Sequence, residues 1–115
     1  MKNPILEKSF NFSLDIVKLY MKLKSEKEYI LSKQLVRSAT SIGANVTEAQ
    51  YAQSKKDFTS KMSIALKEAN EAEYWLKLLA KAGIINEEEQ EKHIKDCIEI
   101  KILLINIVRK SKEAL

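Results

Sequence analysis

The sequence predicts an all-α fold, an antiparallel up-down-up-down four-helix bundle that forms a single domain over residues 1–115. Three observations support this prediction. A chain of 115 residues has room for one core. Two glycines and one proline are too few to punctuate a sheet. Apolar residues recur at helical spacing along four segments, and short connectors between such segments make sequential helices antiparallel.

The first predicted helix runs from Pro4 to Lys24. Proline suits the first turn, because its ring fixes φ and the N–H that it lacks has no helical partner there. The apolar face is wider than one neighbouring helix needs. It consists of a stripe (Phe10, Leu14, Val17 and Met21) and a second flank (Ile16, Leu19, Tyr20 and Leu23).

After a charged connector, Ser25–Glu28, the second helix is predicted to extend to about Ala52, with Ser32 as its N-cap. Gly43 lies in mid-helix, where glycine costs about 1 kcal/mol relative to alanine. This glycine indicates either a close approach of a neighbouring backbone or a tolerated accident. The predicted buried stripe is Leu35, Ala39, Ile42, Val46 and Ala49.

The third helix has the most regular pattern in the chain. Ser54 is its predicted N-cap, Asp57 favours the positive end of the helix dipole, and Gly83 supplies the position after its C-cap. The alanines at the centre of its stripe predict a close approach of a neighbouring helix. The stripe comprises Phe58, Met62, Ala65, Ala69, Ala72, Leu76 and Leu79.

The fourth helix is predicted to begin after Asn86, which three glutamates follow, and to end near Lys112. Between Ile98 and Val108 it is apolar on nearly all sides, more than a helix of one bundle needs. The surplus predicts a subunit interface, and an unusually deep core is the alternative. Cys97 lies among apolar residues and is predicted to be a buried structural thiol.

Polar residues follow the buried stripe of the second helix, and a similar rail follows the third. Arg37 is predicted to pair with Glu68 or Glu71, and Asn45 to form a hydrogen bond across the two helices. A network that fixes helix register is the favoured interpretation, and a binding site is the alternative. The stripe comprises Gln34, Arg37, Ser38, Ser41, Asn45 and Glu48, and the rail Lys61, Glu68, Glu71 and Trp75.

Catalytic and cofactor-binding patterns are missing from the sequence. With one histidine, the chain lacks the two Glu-x-x-His motifs of a di-iron bundle, and no phosphate-binding glycine loop occurs. His93 follows the acidic start of the fourth helix and is predicted to be solvated. We therefore expect a protein that is not an enzyme, with no metal and no cofactor.

Basic residues concentrate in the first part of the chain, with 12 Lys or Arg against 6 Asp or Glu in residues 1–67. Lys18, Lys22, Lys55 and Lys56 are the candidate nucleic-acid contacts. Solvated helix surface is the alternative interpretation of these lysines. The interleaved aromatics provide a stacking surface or, as we favour, core positions: Phe10, Phe12, Tyr20, Tyr29 and Tyr51. One cysteine and no signal-like or membrane-spanning pattern predict a cytoplasmic protein.

Residues of the second and third helices resemble a known family. The first motif is Leu31-x-x-Gln34-Leu35-x-Arg37-Ser38-Ala39-x-Ser41-Ile42-x-Ala44-Asn45-Val46-x-Glu48; Asp57-Phe58 and Ala65-x-Lys67-Glu68-Ala69-x-Glu71-x-x-Tyr74-Trp75-Leu76 follow. These motifs are similar to the bacterial four-helix bundle protein family, which includes proteins encoded in intervening sequences of large-subunit ribosomal RNA genes and sometimes labelled ribosomal-protein-like. The similarity covers about residues 8–110, although Ala49 stands where family members commonly have glycine.

The resemblance implies a bundle that assembles into a ring, typically a homopentamer. The accessory protein of diversity-generating retroelements looks similar in fold and uses a basic surface to engage nucleic acid and its enzyme partner. RNA binding or a ribonucleoprotein accessory role is therefore the leading functional hypothesis. The alternative is a protein-interaction scaffold with no nucleic-acid ligand.

Overall fold

The computed structural model describes residues 3–115, which form four α-helices and no strand. The helices are α1 (Pro4–Ser25), α2 (Ile30–Ala49), α3 (Lys55–Lys81) and α4 (Glu87–Glu113). Each helix packs against its neighbours in sequence, and α1 also meets α4, so the order around the bundle is α1, α2, α3, α4. The predicted all-α four-helix bundle is confirmed.

Three of the predicted helix boundaries have the expected chemistry. The side chains of Ser54 and Asn86 accept hydrogen bonds from the third residue of α3 and α4, at 3.0 and 2.8 Å. Glu89 completes a capping box by accepting from the Asn86 backbone N–H at 3.0 Å. Gly83 has a φ of 76°, the left-handed conformation that glycine adopts without strain.

The predicted N-cap of the second helix is wrong. α2 begins at Ile30, and the carboxylate of Glu28 accepts hydrogen bonds from the backbone N–H groups of Leu31 and Ser32 at 2.9 and 3.1 Å. The Ser32 hydroxyl is buried and donates to the Glu28 carbonyl at 2.9 Å. A side chain one turn earlier thus binds the orphaned donors. The helix ends at Ala49 rather than at Ala52.

The core forms where the predicted stripes of α2 and α3 meet. All five stripe residues of α2 are buried, and on α3 every predicted position is buried except Phe58, which is half-buried. The alanines of α3 do bring a neighbour close, since the Cys97 Sγ of α4 donates to the carbonyl of Ala69 at 3.4 Å. Gly43 serves a close approach too: a Cβ at that position would lie 2.9 Å from the Ser13 Oγ of α1.

The apolar face of α1 packs differently from its pattern. Its inward residues are mostly those of the flank, and the stripe is turned to solvent, with Phe10 68% and Met21 63% exposed. Ile5, Phe12, Ile16, Leu19 and Leu23 are the residues that enter the core. The interpretation of the aromatics as core positions is also wrong for Phe10, Tyr29 and Tyr51, which are exposed.

Candidate functional site

The predicted contact between the polar residues of α2 and α3 is confirmed for Arg37. Its Nη1 donates to Glu68 Oε2 at 3.1 Å, and its Nη2 bonds to Glu71 Oε2. Partial desolvation opposes the charge, but the two carboxylates raise the pKa of Arg37 above its ordinary value. Further along the seam toward the α2 C-terminus, Lys61 Nζ lies 3.3 Å from Glu48 Oε1. Two ion-pair clusters therefore tie α2 to α3.

The remaining members of the polar stripe do not reach α3. Asn45 donates to the carbonyl and hydroxyl oxygens of Ser41 at 2.9 and 3.2 Å, so the predicted bond across the helices is wrong. Ser38 is buried and donates to carbonyls of its own helix, those of Gln34 and Leu35, while the Gln34 side chain lies at the surface. A short polar side chain at these positions finds its partner one turn back more readily than across the seam.

The four candidate lysines separate into two groups. Lys22 lies near the C-terminal end of α1 and donates to Glu89 Oε2 of α4 at 2.8 Å. This bond raises the pKa of Lys22. Partial burial acts to raise the pKa of Glu89, but the hydrogen bond from Lys22 helps to lower it below its ordinary value. Lys18 is exposed one turn away on α1, whereas Lys55 and Lys56 are exposed at the start of α3, at the opposite end of the bundle.

The end of the bundle that holds Lys55 and Lys56 brings together basic residues of two helices. In an up-down bundle the start of α3 and the end of α4 share one end, and a hydrogen bond between the hydroxyls of Thr59 and Ser111 joins them. This arrangement adds three exposed cations of α4 to the two of α3. We call the basic end Lys55, Lys56, Arg109, Lys110 and Lys112.

A cleft of about 390 Å³ opens within the basic end. Lys55 and Lys110 lie at its edge, and the half-buried side chains of Phe58 and Ile107 supply apolar surface. Ser111 and Ala114 complete the lining. The cleft thus combines an aromatic ring and an aliphatic wall with two ammonium groups.

A second cleft, of about 400 Å³, lies between α1 and α4 and has mixed charge. Ion pairs cross it: Lys8 Nζ is 3.4 Å from Glu99, and Lys92 Nζ is 3.0 Å from Asp15. Lys92 also pairs with Asp96 on its own helix at 3.2 Å. These pairs neutralise one another, so this cleft has no surplus of positive charge.

His93 and Cys97, four residues apart on α4, are both buried, and the prediction that His93 is solvated is wrong. Burial lowers the pKa of His93 and raises the pKa of Cys97 to about 12. The thiol hydrogen is directed at the Ala69 carbonyl. A protonated thiol that bonds elsewhere is not an activated nucleophile, and we assign the pair a place in the core.

Within residues 3–115, no group of three or more His, Cys, Asp or Glu side chains is arranged to hold a metal ion. Over the same range, no helix has the length and apolarity needed to cross a membrane.

Two apolar surfaces remain uncovered on the outside of the bundle. One is the stripe of α1, and the other is formed by Ile98, Ile102 and Ile105 of α4. In the rest of the apolar run of α4, Ile100, Leu104 and Val108 are buried, and Leu103 and Ile107 are half-buried. The predicted surplus of apolar surface on α4 is thus present at the protein surface.

Comparison with known proteins agrees with this architecture. A family model described as 23S rRNA-intervening sequence protein matches residues 1–106. The chain belongs to that family. A crystal structure at 1.70 Å of an S23 ribosomal protein family member from Bacteroides thetaiotaomicron, described as a protein with unknown function, is 50% identical. The similarity covers 90% of this chain and 97% of that one, with a TM-score of 0.87. No curated protein matches the chain.

For this member of the family, sequence reasoning missed the three cations of α4. Arg109, Lys110 and Lys112 belong to a half of the chain that is acidic overall, with 8 Lys or Arg against 10 Asp or Glu in residues 68–115. The up-down topology itself contained the signal, because it places the last turn of α4 beside the first turn of α3.

Proposed function

We propose that this protein is a non-enzymatic, cytoplasmic RNA-binding protein that acts as a homo-oligomeric accessory factor of a ribonucleoprotein. One observation carries the proposal: five exposed cations from two helices lie together at the basic end. Asp57, which accepts a hydrogen bond from the Gln53 backbone N–H, and Glu113 are the acidic residues of the same two helix ends. Glu7 at the start of α1 and Glu48 near the end of α2 also lie at this end of the bundle. A local excess of cations is the electrostatic footprint of a polyanion-binding surface.

The cleft within the basic end supports RNA with unpaired bases as the ligand. Bases that leave the stack pack on aromatic rings, and their phosphates bind nearby cations. Phe58 supplies the ring, and Lys55 and Lys110 supply the cations on either side. The positive end of the α3 dipole lies at the same place, where Ser54 caps the helix and Asp57 occupies the first turn. The family's description as a 23S rRNA-intervening sequence protein agrees with an RNA ligand.

Lys18 and Lys22 contribute less in this proposal. Lys22 is paired with Glu89, and Glu87 and Glu88 lie just before it in the first turn of α4. Phosphates approaching this end of the bundle meet carboxylates as well as ammonium groups, which offsets the attraction. We therefore place the main contact at Lys55 and Lys56.

Assembly is the second part of the proposal: we propose a ring, and a pentamer as its form. A rotation axis parallel to the bundle would place the basic end of every subunit on the same rim. Repetition of a weak site on one surface raises the overall affinity for a long ligand. A modest net charge of +4 per chain would then be compatible with firm RNA binding.

The experiment compares charge reversal at the basic end with charge reversal elsewhere on the same helix. Nuclease-treated protein is titrated with structured RNA, duplex DNA and a polyanion over a salt series. We expect Lys55→Glu combined with Lys56→Glu to weaken RNA binding strongly and to reduce the slope of log affinity against log salt, by about 0.7 for each single-strand phosphate that is no longer neutralised. Lys67→Glu, an exposed lysine in mid-helix, is the matched control.

Loss of binding would not reflect unfolding, because glutamate in the first turn of a helix favours its dipole. Retention of RNA by the double variant would overturn the assignment to the basic end. A parallel Lys18→Glu, Lys22→Glu variant tests the other candidate pair. Failure of the parent protein to bind RNA at low salt, with one protein co-purifying in stoichiometric amount after nuclease treatment, would favour the interaction scaffold instead.

A further inference from the structure

Four exposed apolar residues form a straight line on the outer side of α1. Phe10 is 68% exposed, Leu14 44%, Val17 38% and Met21 63%. Their spacing of four, three and four residues is that of a coiled-coil seam. Soluble monomers rarely expose a continuous apolar stripe of this kind. We name these four residues the α1 seam.

A shorter line with the same spacing lies on the outer side of α4. Ile98 is half-buried, Ile102 is 53% exposed and Ile105 is 45% exposed. They are four and three residues apart. We name these three residues the α4 seam.

The two seams are different, outward-facing surfaces of the bundle. The α1 seam lies opposite the buried face of α1, and its Leu14 also lines the edge of the cleft between α1 and α4. Lys101, between Ile98 and Ile105, donates to Glu73 of α3 at 2.6 Å, so the α4 seam lies on the α3–α4 side. A contact between two different faces is head-to-tail, and such contacts close into a ring when the rotation between copies permits it.

We infer that the α1 seam of one copy packs antiparallel against the α4 seam of the next copy. This inference rests on the proposed homo-oligomer and names its interface. Rotation about an axis parallel to the bundle keeps every helix direction, and α1 and α4 run in opposite directions in one chain. In such a ring α1 therefore meets the neighbouring α4 antiparallel.

The charges at the ends of the two seams favour this orientation. Glu7 precedes the α1 seam and Lys24 follows it; Glu91 precedes the α4 seam, and Arg109 and Lys112 follow it. All of these side chains are exposed. An antiparallel contact brings Glu7 to Arg109 and Lys112, and Lys24 to Glu91. Lys55, Lys56 and Lys110 of the basic end are then the cations that remain for RNA. A parallel contact would place like charges together, which costs affinity.

A two-fold contact between two α1 seams is the competing arrangement. It would also pair Glu7 with Lys24 of the other copy, but it would leave the Ile102 and Ile105 side chains of both copies exposed. The head-to-tail contact covers both seams, which is why we favour it.

Complementation of two surface variants tests the inference. Light scattering gives the mass of Leu14→Lys, of Ile102→Lys, and of their equimolar mixture at high protein concentration. Both residues are at least 44% exposed, so the lysines should leave the fold intact, as circular dichroism will verify. Each variant alone should have the protomer mass of 13.2 kDa. The mixture should double in mass, because each variant retains the seam that the other lacks.

Other outcomes would overturn the inference. Ile102→Lys that remains a dimer alone would indicate the two-fold α1 contact, and variants that both keep the parent mass would place the interface elsewhere while leaving the proposed oligomer intact. A parent protein that is monomeric would remove the oligomer and its interface together, whereas the titration of the basic end with RNA would still test the other part of the proposed function. Gln34→Lys, on the α2–α3 side, is the control and should keep the parent mass.

A charge exchange provides an independent measurement. Glu7→Lys should weaken association about tenfold by placing like charges together. Adding Arg109→Glu and Lys112→Glu to the same chain should restore it. Weakening without restoration would contradict the antiparallel register.

Discussion

Within one chain, α4 contacts α3 and α1 through different kinds of interaction. In the first, Ala69 is fully buried, and the Cys97 Sγ approaches the Ala69 backbone carbonyl at 3.4 Å. In the second, a charged cleft of about 400 Å³ separates the helices, and ion pairs cross it. The α3–α4 contact therefore depends on close packing, and the α1–α4 contact depends on charge.

The difference predicts that substitutions in the two contacts change the free energy of unfolding to different extents. Close-packed interiors respond strongly to a change of even one methylene, because they have no space to absorb it. Solvent-exposed ion pairs are weak and are screened by salt. We therefore expect substitutions in the two contacts to differ severalfold in their effect on the free energy of unfolding.

The largest effect is expected at Ala69. Ala69→Leu forces extra volume into a seam with no exposed surface and should lower the free energy of unfolding by about 2–3 kcal/mol. Urea unfolding followed by circular dichroism, at one fixed protein concentration, measures the change. Ala44→Leu makes the same substitution on the outer face of α2 and should stay within about 0.5 kcal/mol. Equal effects at the two positions would refute the close-packed seam.

Gly43 tests a close approach of another kind, between α1 and α2. Gly43→Ala gains about 1 kcal/mol of helix propensity, but its Cβ would lie 2.9 Å from Ser13 Oγ, which bonds to the Ala39 carbonyl. Displacing that hydroxyl costs about 1 kcal/mol, so the net change should be near zero. With Ser13→Ala already present, Gly43→Ala should stabilise by up to about 1 kcal/mol. A double-mutant cycle by urea unfolding decides, and identical effects in both backgrounds would contradict the contact.

The sequence predicted the buried face of α3 more accurately than that of α1. α3 has only one apolar stripe, so only one of its faces can be the buried one. α1 presents two stripes of similar apolarity, and periodicity alone does not tell which one enters the core. Only the packing of Phe12 and Ile16 against the other helices decides it, and this turns Phe10 and Met21 outward.

The candidate site was partly predictable for the same reason. The pairing of Arg37 with Glu68 and Glu71 follows from matching offsets on adjacent helices, whereas Asn45 was misjudged because a local acceptor one turn away outcompetes a distant one. His93 was judged by its acidic neighbours, although its position four residues before Cys97 places it on the buried face.

The buried His93, which lies near Asp15 of α1, should make the free energy of unfolding depend on pH. Burial holds the pKa of His93 below 6.5, and nearby Lys92 lowers it further, while Asp15, Asp96 and Glu89 raise it. The unfolded chain therefore takes up a proton at higher pH than the folded one, so acidification favours unfolding. The free energy of unfolding should be constant above the ordinary histidine pKa of about 6.5 and fall as the pH drops from there to the lowered pKa.

Urea unfolding at a series of pH values, compared with His93→Gln, isolates this contribution. The variant should lose the slope below about pH 6.5. Glu73, held below its ordinary pKa of 4.5 by hydrogen bonds from Lys101 and Lys77, contributes stability that is lost only in more acidic solution. The two windows are therefore distinct, and a slope that persists in the variant above about pH 5 would assign it to another group.

A small, salt-dependent effect is expected for the ion pairs between α1 and α4. Lys92→Ala removes contacts of 3.0 Å to Asp15 and 3.2 Å to Asp96, but the lysine side chain is 55% exposed. Solvent screening should limit the cost to below about 1 kcal/mol, and added salt should reduce it further. Lys95→Ala, a lysine of the same helix that makes no ion pair within residues 3–115, is the control in urea unfolding at low and high salt. A cost as large as that of Ala69→Leu, and insensitive to salt, would mean that the α1–α4 contact is as closely packed as the α3–α4 contact.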